Sequence, residues 1–204
     1  MAQTQTQKVR RNPFVGTRIS RDKAEFEARL RAIDPNLVKA IKSGSVHTVD
    51  CEIYSVRHLE SDTTIELMQA ADNKKVGLTN INNRHLEAST YMLVTGVVLL
   101  SATDATNLST ANEAKMAAAA YGVIPASIAN GELEIKTGDK VWYPRNSNQC
   151  FVTTGTQKRA GYRALECPKI IQPLTDIVPT LYLPAAVQNT AVKIILCGVR
   201  TNKA

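Results

Sequence analysis

After Ser45 the chain becomes a succession of short runs rich in β-branched and aromatic residues, separated by polar turns. Runs of this length and spacing are typical of a β-sandwich or a β-barrel. We predict strands at 46–56, 64–69, 91–102, 132–136, 140–143, 150–153, 161–165 and 192–199. Because strands and helices do not alternate as they do in parallel sheets, the body is predicted to be all-β.

The clearest local pattern is the strict polar/apolar alternation over 132–136. It places Leu133 and Ile135 on one face, which we predict to be the core face. A Thr-Gly-Asp turn then leads into a second strand at 140–143, so the two strands are predicted to form a hairpin. Pro144 follows directly and is expected to end the second strand.

Glu132 and Glu134 share the other face of this hairpin strand. Two alternating carboxylates can bind a hard cation or act as an acid/base pair. A solvated outer face flanked by Lys136 and Lys140, which serves solubility or a salt-bridged contact with a neighbouring subunit, is the simpler interpretation and the one we expect.

The segment 170–183 is extended in character but interrupted by Pro173 and Pro179, with Pro184 directly after it. Proline cannot donate a hydrogen bond to a neighbouring strand. We therefore expect this segment at a sheet edge or in a contact between subunits.

Two short helices are predicted ahead of the strands. Asp22 and Glu25 resemble a capping box, which predicts a helix at 22–33. Asp34 is a good N-cap, the proline that follows it suits a first helical position, and Gly44 is a natural terminator for the second helix. An Ala-rich stretch at 111–121 predicts one further helix, inserted among the strands.

The net charge of +7 is concentrated at the N-terminus. The first 23 positions hold one acidic residue and six basic residues, so their local charge is +5 and the remainder carries +2. The six basic residues are Lys8, Arg10, Arg11, Arg18, Arg21 and Lys23. Flexible clustered cations gain free energy on polyanions by releasing counterions, so these six are the candidate contacts to nucleic acid or another polyanion. The alternative is an arm that ties subunits together through acidic surface patches.

At 204 residues the chain is long enough for one well-buried core and is expected to form one domain. We divide it into a flexible basic arm at 1–21, short helices at 22–44 and a β-sandwich at 45–204. The N-terminus shows no apolar segment behind its charges, so no secretory signal peptide is predicted and a cytosol-like compartment is expected.

The residues that could carry catalysis are few and scattered. The sequence contains no nucleophile elbow, phosphate-binding loop or zinc-protease motif, and no cofactor or metal is predicted. His47 and Cys51 stand four apart, but a surface histidine beside a buried thiol is the simpler interpretation. All four cysteines, Cys51, Cys150, Cys167 and Cys197, lie in or beside apolar stretches and are expected to be buried thiols without disulfides.

The basic segment from Lys8 to Lys23, the strands across 46–199 and the inserted helix at 111–121 together resemble the jelly-roll coat proteins of icosahedral viruses. The segments 130–147 and 165–169 also look like capsid proteins of small tailless bacteriophages. The resemblance implies a single jelly-roll β-sandwich that self-assembles in many copies with other virion proteins, in the host cytoplasm. It also implies that the arm faces the shell interior, towards the genome or an inner membrane.

Two other functions remain open from the sequence. One is a nucleic-acid-binding module with a β-barrel body, for which an aromatic content of 5% is low. The other is a hydrolase or small-ligand-binding protein that uses His47, His58 and His85. A non-enzymatic virion protein without a small-molecule substrate is the function we expect.

Overall fold

The computed structural model describes residues 18–104, 108–152 and 159–203. Its helices are α1 (Arg18–Ile33), α2 (Pro35–Ser43), α3 (Glu113–Ala118) and α4 (Ala126–Ala129), with one 3-10 helix at Asn148–Phe151. Its strands are β1 (Val46–Leu59), β2 (Thr64–Glu66), β3 (Met92–Thr103), β4 (Glu132–Thr137), β5 (Lys140–Ser147), β6 (Tyr162–Ile171), β7 (Ile177–Tyr182) and β8 (Thr190–Lys203).

The strands form two antiparallel sheets of four strands each. Sheet A has the order β1-β8-β3-β6, and sheet B has the order β2-β7-β4-β5. One apolar cluster joins the inner faces of both sheets, and it includes Val97 and Ile194 of sheet A and Leu133 and Leu181 of sheet B. The prediction of an all-β sandwich is therefore confirmed.

The helices α1 and α2 pack on the outer face of sheet A. Phe26 and Leu30 of α1 are fully buried and lie in one cluster with Val38 of α2 and with Leu93 and Val199, which face each other on β3 and β8. This explains why a short amphipathic helix pair is stable here, because the strands supply the apolar surface that the helices need.

The boundary between the helices was predicted correctly, but the start of α1 was not. The carboxylate of Asp34 accepts hydrogen bonds from the amides of Asn36 and Leu37, at 3.1 and 3.0 Å, and Gly44 ends α2 with φ of +81°. The first helix, in contrast, begins at Arg18, four residues before the predicted start. Asp22 therefore lies inside the helix and does not cap it.

The insertion between β3 and β4 contains the predicted helix in a shorter form, as α3. The side chain of Asn112 caps it, and Met116 is buried against Val56 and Ala102 on the outer face of sheet A. The two helical segments thus cover two separate parts of the same sheet face.

The hairpin of β4 and β5 is confirmed, with Leu133 and Ile135 fully buried. Pro144 does not end β5, so the predicted end of this strand at residue 143 was wrong. It falls in a bulge between the pairs Ile135↔Tyr143 and Leu133↔Asn146, and β5 is an edge strand. A proline is tolerated there because no ladder hydrogen bond is lost.

The proline-containing segment is also placed differently from the prediction. Its strand β7 lies between β2 and β4, in the interior of sheet B. The carbonyl of Pro179 accepts from the amide of Leu67, so the missing N–H faces the side on which β2 has already ended at Glu66. No hydrogen bond between strands is lost, so the proline is tolerated in an interior strand.

Two further predictions were wrong. The segment predicted as a strand at 150–153 is largely the 3-10 helix, in which the Ser147 hydroxyl accepts from the Gln149 amide and Phe151 is buried; residue 153 lies outside the described residues. The cysteines are free thiols, but Cys167 is exposed, whereas Cys51, Cys150 and Cys197 are only partly buried.

The longest apolar run of the sequence forms β3, as expected, and is buried for most of its length. Within 18–104, 108–152 and 159–203, no helix has the length and apolar character needed to cross a membrane.

Candidate polyanion segment and assembly surfaces

The six predicted polyanion contacts are divided by the structure. Lys8, Arg10 and Arg11 lie outside the described residues. The backbone of Arg18 and Arg21 forms the beginning of α1, and Lys23 follows on the same helix with an exposed side chain. Half of the cluster therefore belongs to a helix that is fixed to the sandwich. Arg18 and Arg21, which were predicted to lie in the arm at 1–21, are part of this helix.

The attachment of α1 fixes where the basic segment meets the body. Phe26 and Leu30 hold the helix on the outer face of sheet A, and Glu25 pairs with Arg29 along the helix at 2.6 Å. The N-terminal end of the described chain therefore lies on this face of the sandwich.

The middle of the outer face of sheet A carries a compact polar cluster. Arg159 donates to Glu52 at 2.5 Å, and the same guanidinium lies 3.6 Å from the sulfur of Cys197. The hydrogen bond from Arg159 lowers the pKa of the Glu52 carboxyl, while burial raises the pKa of the Cys197 thiol to about 11. At neutral pH the pair is charged and the thiol is protonated, so the cluster is structural in character.

Aromatic rings on this face are already covered by a cation. The ammonium of Lys193 lies 4.6 Å from the ring centre of Tyr54 and 5.6 Å from that of Tyr121. Cation–π contacts of this kind stabilise the protein itself. They leave these two rings poorly available for stacking on a base.

The outer face of sheet B carries an ion pair on the hairpin strand β4. Lys136 pairs with Glu134 at 2.9 Å, and the hydroxyl of Tyr182 donates to the same carboxylate at 3.3 Å. The hydrogen bond from Lys136 lowers the pKa of Glu134. The guanidinium of Arg145 lies 3.5 Å from the ring centre of Tyr182.

The three histidines do not come together. His47 is exposed on β1, His85 lies beside the carbonyl of Leu86 at 3.1 Å, and His58 lines a different cavity from His85. Both ring nitrogens of His58 are buried and have no hydrogen-bond partner among the described residues. No group of three or more histidine, cysteine or acidic side chains suited to a metal ion occurs in the described part of the chain.

The cavity beside His58 has a volume of about 330 Å³ and is lined by β1, the loop at 71–79 and the α3 insertion. Its charged side chains are paired: Arg57 donates to both carboxylate oxygens of Asp72, at 2.7 and 2.8 Å, and Lys75 binds Glu113. These pairs tie the loop to the sheet and to α3. His58 forms no salt bridge with a described residue.

A second opening lies on the other side of the sandwich, between the edge strands β5 and β6. This β5/β6 groove has a volume of about 480 Å³, and Trp142, Arg163, Leu165 and Lys169 are among its lining residues. It exists because both edges are irregular. Four residues of β6, 165–168, stand opposite the single residue Thr95 of β3.

Charge is distributed unevenly between the two sides of the sandwich. Strands β5 and β6 carry one acidic residue, Glu166, and four basic residues, Lys140, Arg145, Arg163 and Lys169. On the other side, the segment 46–66 carries one basic residue, Arg57, and five acidic residues, Asp50, Glu52, Glu60, Asp62 and Glu66. The loop at 67–91, which packs along β1, adds a charge of only +1.

Sequence reasoning missed this asymmetry because it treated residues 24–204 as one nearly neutral body. A count of charges strand by strand finds it, but only the strand order shows that β5 and β6 are neighbouring edges and that β1 and β2 lie on the opposite side.

In comparisons with known proteins, no protein-family model matches this chain and no curated protein matches it significantly.

Proposed function

We propose that this chain is a non-enzymatic structural subunit of a virus particle, built as a single jelly roll that assembles in many copies into an icosahedral shell. The observation that carries the proposal is the strand order of the two sheets. The first four strands pair with the last four in reverse order, as β1 with β8, β2 with β7, β3 with β6 and β4 with β5. Two four-stranded sheets connected in this way are typical of jelly rolls, which include viral capsid domains, lectins and cupins.

The position of the basic segment favours a shell protein among these classes. Three of the six N-terminal cations precede α1 in the sequence, and three lie in its first six residues. This helix is fixed on the outer face of sheet A. A cationic extension from one face of a subunit suits a shell whose interior holds a polyanion. The polyanion would be the genome or the anionic surface of an inner membrane. The likeness of 130–147 and 165–169 to capsid proteins of tailless bacteriophages favours a bacteriophage particle.

Self-assembly is tested with the purified full chain. We expect closed particles in negative-stain electron microscopy and a fast-sedimenting species in analytical ultracentrifugation at neutral pH. A species that remains strictly monomeric at high protein concentration would contradict the proposal.

A nucleic-acid-binding module is the alternative function, supported by the same basic segment. The rings of Tyr54, Tyr121 and Tyr182 are each covered by a cation of the same molecule, which argues against a stacking platform. Under either function, the basic segment should bind polyanions through charge alone.

The salt dependence of binding measures how many cations take part. Each phosphate neutralised on duplex DNA contributes about −0.9 to the slope of log K against log salt, so six contacts predict a slope of about −5. A chain that begins at Arg18 retains Arg18, Arg21 and Lys23 and should show a slope of about −3. The matched control is Lys39→Ala with Lys42→Ala on α2, which should leave the slope unchanged. If the protein is a shell subunit, the chain that begins at Arg18 should still assemble. Vesicles of anionic lipid, tested in parallel with DNA, distinguish a membrane from a genome.

A further inference from the structure

The unpaired charges on the two sides of the sandwich are complementary. Lys140, Arg163 and Lys169 form no ion pair with the described residues, nor do Asp50 and Asp62 on the opposite side. Charges left unpaired within one copy are available for a second copy, where opposite patches steer association and fix its register.

The basic side has a place for a partner to enter. The β5/β6 groove opens between the two sheet edges, with Trp142 and Leu165 packed against the core cluster and with Arg163 and Lys169 among its lining side chains. The bulges in both edge strands interrupt the rows of backbone groups that another strand would need. A compact turn therefore fits this groove better than an added strand.

The acidic side has such a turn. Residues 60–63 connect β1 to β2, all four are exposed, and they include Glu60 and Asp62. The turn is held firmly, because Leu59 is fully buried before it, Ile65 is buried after it, and the carbonyl of Thr63 accepts from the amide of Leu183 at 2.7 Å. A turn that is already ordered loses little conformational entropy on binding.

We propose that the turn at 60–63 of one copy docks into the β5/β6 groove of a second copy, with Glu60 and Asp62 facing Arg163 and Lys169. The two surfaces differ and lie on opposite sides of each subunit, so the contact is head-to-tail. A contact of this kind repeats from copy to copy and gives a ring where its rotation closes, or an open filament where it does not. The inference rests on the proposed function, since it names the contact through which the shell would form.

Two charge-reversed variants test the contact. Arg163→Glu with Lys169→Glu gives a groove and a turn that are both acidic, and Glu60→Lys with Asp62→Lys gives a groove and a turn that are both basic. Each variant alone should need at least about tenfold more protein to assemble. A chain that carries all four reversals should assemble as the native chain does, because its acidic groove then meets the basic turn of the next copy in a ring of any size.

The matched control is Lys39→Glu with Lys42→Glu, which changes the charge equally on the exposed side of α2. It should assemble like the native chain, and thermal unfolding of all four variants checks that each one folds. If either reversed variant assembles normally, or if the chain with all four reversals does not recover assembly, the docking contact is wrong.

A zero-length carbodiimide cross-linking experiment separates this inference from the proposed function. A mixture of ¹⁵N-labelled and unlabelled native chain should yield inter-copy links from Glu60 or Asp62 to Lys169, identified by mass spectrometry. Particles without such links would overturn the docking contact and leave the shell function standing. Links without particles would support the contact and contradict the shell function.

Discussion

At the scale of single residues, a glycine of the interior strand β8 lies directly against the backbone of β3. Gly198 pairs with Val94 on one side and with Cys51 on the other. A β carbon at this position would overlap the carbonyl oxygen of Leu93, which belongs to the backbone of β3 and has no freedom to move aside. The bulge in β3, between Val94 and Gly96, lies next to this contact.

The substitution Gly198→Ala should therefore lower the free energy of unfolding by about 3 kcal/mol, or prevent folding. Urea denaturation followed by circular dichroism measures the change. Gly122→Ala is the matched control, since a β carbon there meets no atom within 4 Å. Equal stability of the two variants would show that the strands do not approach as closely as described.

The cysteines differ in surroundings, and their reactivity should differ accordingly. Burial raises the pKa of Cys197 to about 11 and also raises the pKa of Cys51, whereas Cys167 is exposed on the bulge of β6. Because the thiolate is the reactive form, a raised pKa reduces reactivity at pH values below it.

We expect iodoacetamide at pH 8 to modify Cys167 first and Cys197 much more slowly, as read by peptide mass spectrometry. The rate at Cys197 should increase as the pH rises towards 11. Cys167→Ser should remove the fast phase and leave the slow one. Equal rates for Cys167 and Cys197 at pH 8 would contradict the described burial.

At the scale of elements, α1 is held by a small apolar contact with sheet A. Phe26 and Leu30 are its only fully buried side chains among those described, and they meet Leu93 and Val199. The sandwich core lies on the other face of the same sheet. The helix should therefore detach without unfolding the strands.

Phe26→Ala with Leu30→Ala is expected to release α1, since each truncation removes several kcal/mol of burial free energy. Hydrogen exchange should become fast for the amides of α1 and stay slow for those of β3 and β8. Arg31→Ala, on the exposed side of the helix, should change neither. Global loss of protection would show that the helices are part of the cooperative core.

The elements also show where sequence reasoning succeeded and where it failed. Asp34 and Gly44 identified the ends of α2 because capping is decided by a few neighbouring residues. Pro144 and Pro179 misled the prediction, since the cost of a proline depends on whether a neighbouring strand needs its N–H. That information is absent from the local sequence.

At the scale of the whole molecule, sheet A joins the two ends of the β-domain. β8 pairs with β1 over its full length, from Val46↔Lys203 to Leu59↔Thr190, and pairs with β3 on its other side. The last strand of the sequence is thus an interior strand of the sheet.

A chain that ends at Asn189 should fail to fold cooperatively, because β1 loses β8, its one strand partner among the described residues, and the core loses Val192, Ile194 and Leu196. The fluorescence of Trp142 in urea would show no sigmoidal transition. A chain that begins at Arg18 loses a similar number of residues but no described element, and it should unfold cooperatively. A cooperative transition in the first chain would contradict the central role of β8.

The sequence by itself determined the class of the fold, the position of most strands, the inward face of β4 and the basic N-terminus, because alternation, capping and charge are properties of neighbouring residues. Only the tertiary structure decided which strands are adjacent. A period of two assigns each side chain to a face but says nothing about the next strand. The interior position of β7, the β5/β6 groove and the opposite charges of the two sides all depend on that order of strands.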